Sequence, residues 1–179
     1  MNILGKLHKK LIVGVLLCAL FLIGGIFAFT QYDSYKQNQK EKIIQEDKKK
    51  YNAALKQSNI QYGLQNYPAA IKPLETYMKT AVSEENKVIA YMKIASIHEG
   101  NKDYKKALAM YREAEKYPQK SEVGLVYGIA RMEMRLKNYP EAIKYYQKLI
   151  EYAKKSKSPY AVNDVRDYEN AIAYMEKNL

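Results

Sequence analysis

Tryptophan is missing from this chain, cysteine occurs once and histidine only twice. The single thiol, Cys18, cannot pair within one chain, so no internal disulfide supports the fold and the redox compartment stays open. The two histidines, His8 and His98, have no Cys, His or carboxylate neighbours at metal-ligand spacing, so no metal site is expected. Five prolines and eight glycines are too few for a turn-rich all-β protein and suit a helical one. No glycine-rich loop links a strand to a helix; GLVYG (Gly124–Gly128) falls inside a predicted helix. The acidic pairs Glu84–Glu85 and Glu113/Glu115 read as charged helix faces, and no nucleophile, base and orienting group come together. No catalytic residue, cofactor or metal is therefore expected, and the chain is not expected to be an enzyme.

Acidic charge is also in short supply. Thirty Lys and Arg face nineteen Asp and Glu, a net +11. Three of those charges, Lys6, Lys9 and Lys10, sit at the start, which leaves +8 over residues 30–179. Lys and Glu are mixed along most of that length, the pattern of a solvated helix surface. A basic surface for anionic lipid or polymer is an alternative use of the excess; nucleic acid is not expected as a partner.

What is present begins with LIVGVLLCALFLIGGIFAF, Leu11–Phe29, 19 residues without a charge. A helix of that length would reach roughly 28 Å, close to the ~30 Å hydrocarbon core of a bilayer. Ile26 and Ala28 make a poor signal-cleavage site, and Leu17 before Cys18 disfavours lipid attachment. The expectation is a single transmembrane anchor over 11–29. The basic residues ahead of it place a cytoplasmic tail at 1–10 and residues 30–179 outside the cytoplasm, in a single-pass inner-membrane protein. Residues 30–50 are polar and rich in helix formers, a solvated stalk.

From residue 51 the chain repeats itself. QNYPAAIKPLETYM starts at Gln65, NKDYKKALAMYREAEKYP at Asn101 and KNYPEAIKYYQKLIEY at Lys137. Aligned on Tyr67, Tyr104 and Tyr139, the copies place Ala70, Ala107 and Ala142 three residues on, and Leu74, Tyr111 and Tyr146 four further. About nine residues before each tyrosine stands a small residue: Ser58, Ala95 and Ala130. Small residues on both sides of a crossing let two helices approach to the usual 8–10 Å, so each copy reads as a helix–turn–helix. Pro68 and Pro140 suit the first turn of a helix, which starts the second helices near 68, 104 and 140. Pro73 interrupts the second helix of copy one, and Gln57 sits where a large apolar residue would pack better. The tail has Ser158 as a helix cap, Pro159 in the first turn, and apolar residues at Val165, Tyr168, Ile172 and Met175. It predicts an amphipathic helix over 158–179 that covers the end of the stack.

This spacing resembles the tetratricopeptide repeat family over roughly residues 51–154, most closely in AYMKIASIHEGNKDYKKALAMYREAEKYP, with Tyr91, Ile94, Ala95, His98, Tyr104, Ala107, Tyr111, Ala114 and Pro118 at the family's key places. The resemblance implies an all-α solenoid of three helix pairs over 51–157 plus the capping helix. It also implies a groove lined by the first helix of each pair. Carried over residue by residue, that groove comprises Leu55, Asn59 and Tyr62; Met92, Ser96 and Glu99; and Tyr127, Arg131, Met134 and Arg135. Arg131 and Arg135, four apart, share a helix face and form a local positive patch. Of the family's set for clasping chaperone C-terminal carboxylates only Asn59 remains; Leu55, Lys93, Gly124 and Gly128 hold the other places, so that specialisation is not expected.

A basic tail, one span and a small repeat domain also resemble, in layout, the bacterial ancillary translocon subunits. The functional expectation is a membrane-anchored interaction module that binds a protein or peptide outside the cytoplasm and assists secretion or envelope biogenesis. A scaffold for a pilus, secretion or envelope complex is the alternative. Self-association is left open.

Overall fold

The computed structural model describes residues 3–118, 123–156 and 161–179, with side chains from residue 24 onward, that of Val162 excepted. Seven helices follow one another: α1 (Ile3–Gly63), α2 (Tyr67–Met78), α3 (Glu84–Gly100), α4 (Tyr104–Glu115), α5 (Val123–Arg135), α6 (Tyr139–Lys155) and α7 (Ala161–Glu176). Among the described residues there is no strand.

The expected membrane anchor is corrected. Among the described residues no helix is long and apolar enough to cross a membrane. In α1 the described side chains begin at Gly24, and only Gly24–Phe29 are free of polar groups before Thr30 and Gln31 open a polar run. The single-pass inner-membrane placement, with its cytoplasmic tail and extracytoplasmic domain, loses its support along with the anchor. The side chains of residues 11–23, with those of His8, Cys18 and the three early lysines, lie outside the described ones, as do the Ser158 cap and Pro159.

The chain divides into two compact units, one ending at Glu46 and the other running from Asp47 to Leu179. In the first, α1 is helical through the polar segment expected as a stalk, whose sequence contains neither glycine nor proline. Its side chains, Phe29, Tyr32, Tyr35, Ile43 and Ile44 among them, are exposed.

The second unit begins four residues before the repeat, because Asp47 is already buried. Here the end of α1 forms a hairpin with α2, α3 with α4, and α5 with α6, while α7 packs on α6. The six small residues at the crossings, Ser58, Ala70, Ala95, Ala107, Ala130 and Ala142, are all fully buried. The residue four beyond each alanine fills the space toward the next hairpin. Leu74 meets Ile94 and Ile97 of α3 in one core cluster. Tyr111 lies so close to Gly128 of α5 that a Cβ there would be 2.6 Å from its ring. Tyr146 meets Tyr168 of α7 with ring centroids 5.9 Å apart. Tyr168, Ile172 and Met175 of α7 join the larger core built from α3 to α6.

The three hairpin turns share one backbone solution. Gln65, Lys102 and Lys137 all have positive φ, at 56°, 61° and 61°. The next residue in each turn, Asn66, Asp103 or Asn138, donates its N–H to Gln61, His98 or Glu133, five positions back, at 2.8–2.9 Å. This is the Schellman closure of a helix C-terminus. Asn66 and Asp103 then cap the following helix through their side chains, at 3.4 Å. Asn138 does not; its Nδ2 donates to Glu133 Oε2 at 2.8 Å instead.

Candidate functional site

The first helices, α1, α3 and α5, carry the residues expected to line a groove, and the packing links many of them into one strip. At one end the Tyr62 ring lies under Lys93 Nζ, 5.6 Å from the centroid. The same ring crowds Gly100, where a Cβ would be 2.7 Å from the phenol oxygen. In the middle, Met92 lies against Gly124, and Arg131 pairs with Glu99. Toward the other end the Arg131 guanidinium also covers the Tyr127 ring at 5.3 Å, and Tyr127 leans on Tyr168 of α7 at 6.2 Å. Arg135 lies over Tyr104 at 5.9 Å.

Six of the ten expected residues are thus connected across helices or to a neighbouring ring: Tyr62, Met92, Glu99, Tyr127, Arg131 and Arg135. Leu55, Met92 and Met134 are half-buried and pack against the core, which limits what they can offer a ligand. Asn59 and Ser96 are exposed. The positive patch expected at Arg131 and Arg135 is reduced, because Glu99 neutralises Arg131 while Arg135 stays exposed. Lys93, Gly100 and Tyr104 belong to the strip but were not among the expected binding residues, and neither was Tyr168. The signal for Gly100 was its place two residues before the positive-φ turn, where a bare Cα leaves room for Tyr62.

Cations stacked on tyrosine faces are held without being fully desolvated. Tyr62 and Tyr127 remain 36% and 39% exposed, so both rings present a free edge or face. Burial pushes the Tyr146 phenol up to about 12, with the neighbouring Tyr127 adding to the effect and Arg131 opposing it. It is neutral at ordinary pH, a packing group beneath the strip. Among the described residues no three His, Cys, Asp or Glu side chains are grouped so as to hold a metal ion.

Two polar clusters brace the strip from behind. Asp47 is 3% exposed and accepts four hydrogen bonds: from Tyr77 Oη at 2.8 Å, Val82 N at 2.9 Å, Ser83 N at 3.3 Å and Asn86 Nδ2 at 2.9 Å. Burial pushes its carboxyl up, but the hydrogen bonds together outweigh that and hold it below 3.8. The second cluster centres on Arg112. Its guanidinium donates to Glu115 at 3.0 Å, to the buried Glu133 at 2.9 Å and to the Tyr145 phenol, which in turn donates to Glu115 at 2.8 Å. This ties α4 to α5 and α6, so the Glu115 expected as a plain surface charge is a bridging group.

On the far side of the first hairpin, α1 and α2 part. Their rings meet at both ends, Tyr51 with Tyr77 at 5.5 Å and Tyr62 with Tyr67 at 5.8 Å. Between those contacts a cleft of about 860 Å³ opens, lined by Ala53, Ala54, Gln57, Ala69, Pro73 and Thr76 among others. Ala53 and Ala54 on α1 and Ala69 and Pro73 on α2 put short side chains on its walls, beside the longer Gln57, Ile60, Gln61 and Lys72.

No curated protein matches the chain by sequence. Residues 25–172 match the family described as "Uncharacterized protein conserved in bacteria (DUF2225)". That match runs from within α1 into α7 and takes in more than four fifths of the 179 residues, so the chain belongs to this family.

Proposed function

We propose that the unit from Asp47 to Leu179 is a tetratricopeptide-type interaction module that binds a polypeptide along the strip formed by α1, α3 and α5. The observation that carries this reading is the continuity of Tyr62, Lys93, Met92, Glu99, Arg131 and Tyr127 across three successive first helices. Tyrosine, methionine and arginine are the side chains enriched in protein interfaces, and methionine adapts to varied shapes. The strip also mixes signs: Glu99 sits between the cations, which suits a peptide with its own donors and acceptors better than a uniform polyanion. Tyr127 is partly supported by α7, so a ligand meets a preorganised ring there.

A photoreactive residue placed at Tyr62 or Tyr127 in the full chain, in its native host, tests this. Exposed Lys105 on α4 is the control position. Polypeptide adducts are expected from 62 and 127 and not from 105. Equal adduct formation at all three positions removes the strip as the binding surface.

A further inference from the structure

The cleft between α1 and α2 has no role in the strip. Its α1 residues, Lys50, Ala53, Gln57 and Gln61, follow helical spacing along one side of α1. Leu55, Asn59 and Tyr62 follow another, and the buried Tyr51, Ala54 and Ser58 run between the two. The cleft therefore faces the outer end of the stack, away from α3. Each hairpin is followed by another helix, α3 on α2, α5 on α4 and α7 on α6, and the second and third hairpins are also preceded by one. Only the first hairpin has its outer side uncovered among the described helices of this unit.

Three features shape what fits there. Ala53, Ala54 and Ala69 leave room for a helix backbone to come close. Pro73 has no N–H, so the carbonyl of Ala69 on the cleft wall lacks its helical donor and can accept from an incoming group. The only charged residues in the lining are Lys50 and Lys72, both basic.

The complementary element stands at the opposite end of the stack. Helix α7 carries Asp164, Asp167, Glu169 and Glu176 against Arg166 alone, a net −3 in a chain of +11. All four acids are exposed, and Tyr174 beside them is 57% exposed. The stretch of α1 in this unit bears Lys48, Lys49, Lys50 and Lys56 against the buried Asp47. The stack is thus basic where it is open and acidic where it is closed.

We propose that the open cleft of one molecule receives the α7 end of a second copy, so that the protein associates head to tail. The contact is heterologous and leaves a free cleft and a free α7 at either end, so it extends rather than closing on a dimer. A two-fold pairing of cleft with cleft would oppose Lys50 and Lys72 to their own copies and is disfavoured.

Sedimentation of the full chain over a range of concentration tests this at low and high salt. The mean mass is expected to rise with concentration at low salt and to fall back when salt shortens the screening length from about 10 Å to about 3 Å. Gln57→Glu with Lys72→Glu turns the cleft acidic, and Asp164→Lys with Asp167→Lys turns α7 basic. All four side chains are exposed, so neither double variant disturbs the core. Each variant alone is expected to stay monomeric, because its cleft and its α7 carry the same sign, and an equimolar mixture of the two to regain association, because every cleft then meets an α7 of opposite sign. A monomer at every concentration overturns the proposal. So does association that both variants retain, or a wild-type species that stops at two copies.

Discussion

Tyr77 donates its phenol proton to Asp47 at 2.8 Å, joining residues 30 positions apart, one on α1 and the other on α2. Val82, Ser83 and Asn86 bring the α2–α3 connection and the start of α3 to the same carboxylate. Asp47 therefore ties α1 and α2, the two helices that part to form the cleft, to the α2–α3 connection and the start of α3. Asp47→Ala leaves several donors without a partner and is expected to cost about 3 kcal/mol, whereas Tyr77→Phe removes one charge-assisted bond and costs about 1.5–3 kcal/mol. Urea unfolding of the second unit measures both.

The same carboxylate sets an acid limit. Its pKa in the fold lies below the ordinary 3.8, so the unfolded chain binds the proton more readily. The contribution is fully present well above pH 3.8 and is lost as pH falls through the lower folded value. Tyr77 acts at the other end of the scale: burial first, then the bond to Asp47, raises its pKa above the ordinary 10. Ionising it is more costly in the fold, so stability declines as pH rises above 10. Melting temperature against pH is expected to be flatter on the acid side for Asp47→Asn and flatter on the alkaline side for Tyr77→Phe.

The crossings were legible in the sequence because a helical hairpin constrains size at fixed positions. Ser58, Ala70, Ala95, Ala107, Ala130 and Ala142 recur at the same offsets and are fully buried. Asp47 was not legible. It opens a DKKK run that reads as solvated stalk, and only its partners in the α2–α3 connection reveal it. A faint signal did exist: Asp47, Tyr51, Ala54 and Ser58 are spaced 4, 3 and 4, extending the buried stripe back into the polar segment. Arg112 and Glu133 were missed for a related reason. A charge pair between different helices has no sequence period. The apolar run over 11–29 misled in the opposite direction: hydropathy alone suggested an anchor that the described helices do not support.

Arg112 and Glu133 supply a test of how the middle of the stack is held. Glu133 is 4% exposed and is met by Arg112 at 2.9 Å and Asn138 at 2.8 Å. Removing the guanidinium strands that carboxylate. Because Arg112 is itself one-third exposed, water offsets part of the loss, and Arg112→Ala is expected to cost about 2–3 kcal/mol. Replacing both as Arg112→Met with Glu133→Leu is expected to cost less than Arg112→Ala alone. A double variant that is the less stable of the two would mean the charges add net stability.

The turns give a prediction of the opposite sign. Lys102 holds φ 61°, a left-handed conformation that strains any residue with a Cβ by about 1–2 kcal/mol. Glycine adopts it freely but gives back about 0.5–1 kcal/mol in unfolded-chain entropy. Lys102→Gly is therefore expected to stabilise by up to about 1 kcal/mol, and Gln65→Gly and Lys137→Gly likewise, read as increments in melting temperature.

Two glycines on α5 separate packing from propensity within one helix. An added Cβ at Gly128 would sit 2.6 Å from the ring of Tyr111, which is 7% exposed and wedged between hairpins. That ring has nowhere to go without moving α4 against α5. Gly128→Ala is expected to destabilise by about 1–3 kcal/mol through overpacking. At Gly124 the nearest atom to an added Cβ is the Cε of Met92, at 3.4 Å, the end of a flexible side chain. Gly124→Ala therefore gains helix propensity without a clash and is expected to stabilise by about 0.5 kcal/mol. Urea unfolding of the two variants should give shifts of opposite sign. Shifts of the same sign would mean that the contact of Tyr111 with Gly128 does not set the distance between the second and third hairpins.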